Sequence, residues 1–137
     1  MLTVADLAMN VFDFRHRSFQ FDRLVELAGG PHAVFCRTET ESERQLRPRL
    51  VRLTVVVPLG WVVFDEAADA LHLAPKGPAR RSDEELAVEV AAEPPEFEEG
   101  GVRWKRALAG SAGYVYAPAE FARQLLSPEG LAELGLS

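Results

Sequence analysis

The chain has 137 residues, of which 47% are hydrophobic and 26% charged, with a formal net charge of −6 and one cysteine. That length and apolar content suffice for a single domain, 1–137, with a buried core, and they exclude a wholly disordered chain. One cysteine excludes an internal disulfide framework, and the acidic balance argues against non-specific polyanion binding as the main activity.

Thr3 is placed to cap a short amphipathic helix over 4–12, where Val4, Leu7, Ala8 and Val11 share a face. The opening "MLTVADLAMNVFDF" lacks the basic and continuous apolar regions of a secretory leader, so a cytoplasmic location is expected. Phe21, Leu24, Val25 and Ala28 repeat the helical spacing and Gly29-Gly30-Pro31 offers a stop, which predicts a second helix over 19–28. "HAVFCR" (32–37) reads as a strand, and "TETESERQLRP" (38–48) as an exposed loop.

Residues 49–57 resume as a strand with Val51, Leu53, Val55 and Val57 on one face. Pro58-Leu59-Gly60 breaks it, and Trp61–Phe64 is expected to return antiparallel. A turn at Asp65–Asp69 and a strand at 70–74 complete a three-stranded meander over 49–74. The run from Leu53 to Phe64 is too short, and too broken by Pro58, to cross a membrane as a helix.

Ser82 with Glu85 matches a capping box, so a short helix over 83–92 is expected before Pro94-Pro95. A hairpin then spans Gly100-Gly101, "AGYVYAP" adds a strand, and helices open at Ala117-Pro118 and at Ser127-Pro128. The expected fold is thus α+β: an antiparallel β-sheet, made of the 49–74 meander and the later hairpin, packed with short helices at the N- and C-termini.

No catalytic motif stands out. His32 and Cys36 lie four apart, a spacing that puts both on one strand face, yet no further metal ligands follow; no metal and no cofactor is expected. "AGSAG" (109–113) lacks the glycine a nucleophile elbow requires before Ser111. Asp65, Glu66 and Asp69 do not match an EF-hand loop and read as turn residues. A small enzyme centred on His32/Cys36, or on Asp65 with His72, is the third-ranked expectation.

The basic residues carry the second. Arg47, Arg49 and Arg52 crowd one junction, and with Trp104 they form a candidate anion- or nucleic-acid-binding group. Glu39, Glu41 and Glu43 precede that cluster, so ion pairing on a solvated face competes with the idea. The first expectation is a non-enzymatic binding or interaction module that self-associates as a homodimer, with Trp61, Tyr114 and Tyr116 as its interaction surface. The absence of isoleucine, a single asparagine, and two lysines against thirteen arginines fit a GC-rich bacterial source and a thermostable protein.

Overall fold

A computed structural model describes residues 2–27, 29–42, 48–74, 96–99, 101–109 and 113–136, with the side chains of 40–42, 48–49 and 108–109 outside that description. Helix α1 (Val4–Met9) opens the chain under a full capping box: Thr3 Oγ1 accepts from the Asp6 N–H at 3.1 Å, and the Thr3 N–H donates to Asp6 Oδ2 at 2.8 Å. The Thr3 backbone N–H, then its hydroxyl, hold the Asp6 carboxyl below its ordinary value. A depressed folded-state value stabilises above the unfolded pKa and is lost as pH falls through the folded one. Asp6→Asn is therefore expected to destabilise the protein slightly at neutral pH, with the difference shrinking as pH falls below about 4 and gone once pH is below the depressed folded value, as denaturant melts across that range would read.

Strands β1 (Phe12–Phe14), β2 (Arg17–Leu27), β3 (Gly30–Ser42) and β4 (Pro48–Pro58) pair antiparallel in succession. A 3-10 turn (Leu59–Trp61) leads to the hairpin β5 (Val62–Asp65) and β6 (Ala70–Leu73). Then β7 (Glu96–Glu99), β8 (Val102–Ala109) and β9 (Gly113–Pro118) form another antiparallel set, followed by helices α2 (Ala119–Leu125) and α3 (Pro128–Glu133). The nine strands form one sheet in the order β5-β6-β1-β2-β3-β4-β9-β8-β7. Two parallel seams, β1 with β6 and β4 with β9, join the three antiparallel units.

This corrects the expected antiparallel α+β fold. The sheet is mixed, and the 49–74 meander does not exist: β4 lies between β3 and β9, and β5 pairs only with β6. The turn at Pro58–Gly60 is present, but it carries the chain to the far end of the strand order. The expected helix over 19–28 is the long strand β2, and Gly29-Gly30 is the corner of a hairpin, not a helix stop. The first part of the expected loop, 38–42, extends β3. The helix over 83–92 and the Ser82 capping box lie outside the described residues. The 65–69 turn, the β7–β8 hairpin and the Ser127 cap with Pro128 in the first turn match the sequence reading.

The sheet rolls over on itself. In strand order β1 stands four to six places from β9, β8 and β7, about 19–29 Å in a flat sheet. Yet the Phe14 ring lies 5.7 Å from Tyr116, 4.7 Å from Trp104 and 5.8 Å from Phe97, edge-on to each. The link from Pro58 to Val62 tells the same story: it reaches no more than about 14 Å, whereas β4 and β5 stand five places apart. The concave interior holds Phe12, Phe14, Phe19, Phe35, Trp104 and Tyr116 with the aliphatic residues around them. Fully burying each large side chain contributes about 1.5–3 kcal/mol before entropy is subtracted.

The convex face carries a second cluster. Val34, Val56, Val115 and Ala117 are covered by Leu125 of α2 and by Leu134 just after α3. One residue lets β2 serve both layers. Phe21 pairs with Phe35 and Arg23 with Val34, so Asp22 is an extra residue, a β-bulge. Before it, Phe19 and Phe21 face inward; after it, Val25 and Leu27 face the helices.

The β1–β2 hairpin turns through Arg15 and His16, at φ 51° and 61°. Two successive non-glycine residues in the left-handed region are uncommon. Arg15 is buried, with its guanidinium 3.9 Å from the centre of the Phe97 ring, a contact that helps hold the turn against β7.

Candidate functional site

The convex face is only partly covered by helices. Beyond them, residues of three adjacent strands line an open recess of about 450 Å³: Ser18, Gln20, Cys36, Arg37, Thr38 and Arg52. Register explains the grouping. Gln20, Cys36 and Thr54 fall in one row across β2, β3 and β4, and Thr38 is opposite Arg52 in the next. Their neighbours along each strand, such as Phe19, Phe35 and Leu53, point into the core, so Ser18, Gln20, Cys36, Thr38 and Arg52 are forced outward together, while Arg37, opposite Leu53, starts from the inward side.

Arg52 Nη2 donates to Cys36 Sγ at 3.1 Å, and Cys36 Sγ lies 3.8 Å from Thr54 Oγ1. The guanidinium is half exposed and stands 3.8 Å from Asp22 Oδ2, at the bulge. Its pKa is raised above the ordinary value, first by the hydrogen bond to Cys36, then by charge on that sulfur, with a smaller contribution from Asp22. Arg52 therefore carries its charge at every pH at which the protein is folded.

The carboxylate beside the recess is shared: Asp22 is ion-paired with Arg23 as well as approached by Arg52. On the opposite, inward side of the sheet Glu39 Oε1 accepts from Arg17 Nε at 2.8 Å and Arg37 Nε at 2.9 Å, and Arg37 Nη1 donates to the Ser18 carbonyl at 3.1 Å.

The sequence-derived candidates scatter. Arg52 lies in the recess, Arg49 is in β4 with its side chain outside the description, and Arg47 lies outside the described residues. Trp104 is elsewhere: its indole is fully buried in the core and donates from Nε1 to the Glu99 carbonyl at 3.1 Å, so it has no face to offer a base. Tyr116 is buried too, while Tyr114 is half-buried with Arg106 over its ring at 4.8 Å. Trp61 is half-buried, its ring 5.7 Å from Phe121 of α2. Tyr116 belongs to the inner core cluster, and Trp61 and Tyr114 pack against it. Flanking Trp104 in the chain, Arg103 and Lys105 share Glu96, at 2.9 Å and 3.5 Å.

No family model, curated protein or solved structure matches the chain.

His32 and Cys36 do share the convex face, but a helix separates their fates. Four residues along a strand is about 13 Å. His32 is fully buried beneath α2, edge-on to Phe121 at 5.9 Å; its Nδ1 contacts the Gly30 carbonyl at 2.9 Å, which requires a proton on Nδ1, and its Nε2 is buried without a hydrogen-bond partner among the described residues. It is not a base for Cys36. His72 Nδ1 stands 4.0 Å from Asp65 Oδ2 on the β5–β6 hairpin, and Asp65 Oδ1 accepts from Ala67 N at 3.0 Å as a turn residue does. Among the described residues no three His, Cys, Asp or Glu side chains gather to hold a metal ion.

Ser18, Gln20, Arg37 and Thr38 were missed by the sequence reading. A signal for the first two exists: "RSFQF" alternates polar and aromatic residues with a period of two, which places Ser18 and Gln20 opposite Phe19 and Phe21.

Proposed function

We propose that the protein is a cytoplasmic binding module whose ligand-facing surface is the convex side of β2, β3 and β4. The observation that carries this reading is the recess itself, where three strands present a contiguous polar set between the helix-covered part of the face and the sheet end. About 450 Å³ lies within the usual range for small-molecule sites. The described lining contains no aromatic residue, and Trp104 is enclosed in the core, so base stacking has no platform among the described residues there. That favours a small ligand over single-stranded nucleic acid. No helix among the described residues is long and apolar enough to cross a membrane.

The test is a set of 1H–15N correlation spectra against small molecules spanning anionic, cationic, neutral polar and aromatic classes. Shifts clustered at Ser18, Gln20, Cys36, Thr38 and Arg52 support the reading. Shifts confined to other regions, or none with any class, defeat it.

A homodimer is a second reading, motivated by β5, an edge of the described sheet that exposes Phe64. Light scattering that returns a monomer mass over a wide concentration range would remove it.

A further inference from the structure

Resting on the binding-module reading, we infer that the recess takes a small organic oxyanion, a phosphate monoester or carboxylate, with Arg52 as its principal contact. The lining fixes the sign of the ligand. The Arg52 guanidinium offers donors only, Ser18, Thr38 and Gln20 can donate as well, and no carboxylate is among the described lining residues. A cationic or donor-rich ligand would find few acceptors there.

Arg52 has no carboxylate at hydrogen-bond distance among the described residues. Its short contact is to a sulfur, a weak acceptor, and its distance to Asp22 exceeds a hydrogen bond. Asp22 itself is engaged by Arg23. Arg103, by contrast, holds Glu96 at 2.9 Å. An incoming phosphate or carboxylate supplies the fork-shaped acceptor that Arg52 lacks, in a charge-assisted, bidentate contact. The volume exceeds what a lone inorganic ion fills, so the remainder of the ligand lies along Gln20, Ser18 and Thr38. Occupancy places that ligand over Cys36, whose thiol becomes an internal reporter because the chain has no other cysteine.

The experiment uses glycerol 3-phosphate, succinate and glycerol as probes, with calorimetry and the rate of Cys36 alkylation by iodoacetamide as readouts. One or both anions are expected to bind, more weakly as salt rises, and to slow alkylation; glycerol does neither. The tighter of the two anions identifies the headgroup. Arg52→Gln should weaken binding by roughly tenfold or more, the scale of a lost charge-assisted hydrogen bond, and abolish the protection. Arg103→Gln should leave both unchanged. Arg52→Lys, which keeps the charge and loses the fork, should fall between and covers the case of an Arg52→Gln protein that melts early.

Glycerol binding as well as the anions, anion binding unaffected in both Arg52 variants, or anion binding without protection of Cys36 would each overturn the inference. If neither anion binds but another class shifts the recess amides, this inference falls and the binding-module reading stands. If no class shifts them, both fall.

Discussion

Trp104→Ala is expected to remove about 3–5 kcal/mol of stability, the range for deleting a large aromatic from a packed core, and to lower the melting temperature by roughly 10–20 °C. The indole has no solvent exposure, and the truncation strips the edge-on contact with Phe14 at 4.7 Å and the donor to the Glu99 carbonyl. The first loss falls where β8 meets β1 across the rolled sheet, between strands that no ladder joins, and the second between β8 and its neighbour β7. Against a total of about 5–15 kcal/mol for a typical domain, that is a large share. Phe14→Leu, which keeps most of the volume, should cost much less. A Trp104→Ala loss below about 1 kcal/mol in denaturant melts would mean that the indole is not enclosed as described.

Gly113→Ala should be nearly as severe, at about 3 kcal/mol or more, for the opposite reason. A Cβ at Gly113 would sit 1.8 Å from the Arg52 carbonyl oxygen, 2.7 Å from its carbon and 2.8 Å from its nitrogen. These are backbone atoms of β4, so no side chain can swing aside. Gly113 pairs directly with Arg52 at the start of the β4–β9 seam, and relief requires the strands to part there. Gly60→Ala provides the control: nothing lies within 4 Å of its added carbon, so the effect should stay within about 0.5 kcal/mol. Equal melting of the two variants would contradict the seam. Because the strain falls on Arg52, a folded Gly113→Ala protein should also lose anion affinity.

The sequence revealed strands better than their partners. Alternation in 51–57 correctly places Val51, Leu53, Val55 and Val57 on one face, all buried. It carries nothing about pairing, and β4 takes β9, some sixty residues downstream, rather than its immediate successor. The error at 19–28 has a sharper cause. The bulge at Asp22 inverts the inward face midway, so Phe21 and Val25 lie on opposite sides of one strand while their spacing imitates a helix.

The candidate site was legible in part for the same reasons. Arg52 was found by its charge and neighbours. Ser18 and Gln20 were hidden by the helix reading, and Arg37 and Thr38 by their position at a strand's expected end. Trp104 was misplaced although its context held the answer: between Arg103 and Lys105, alternation turns the indole away from both charges. Which part of the convex face the C-terminal helices cover is a tertiary fact, and it separates His32 from Cys36.

The two parallel seams also bear on how the chain reaches this state. Each antiparallel unit, β1 to β4, β5–β6, and β7 to β9, closes through contacts between consecutive strands. The seams alone join distant stretches, and such closures are slow because loop entropy is lost before contacts compensate. Folding should therefore be limited by docking of preformed units, in the millisecond-to-second range of non-local β topologies. A stopped-flow experiment would show Gly113→Ala slowing refolding if the β4–β9 join forms in the rate-limiting step, and mainly accelerating unfolding if it forms afterwards.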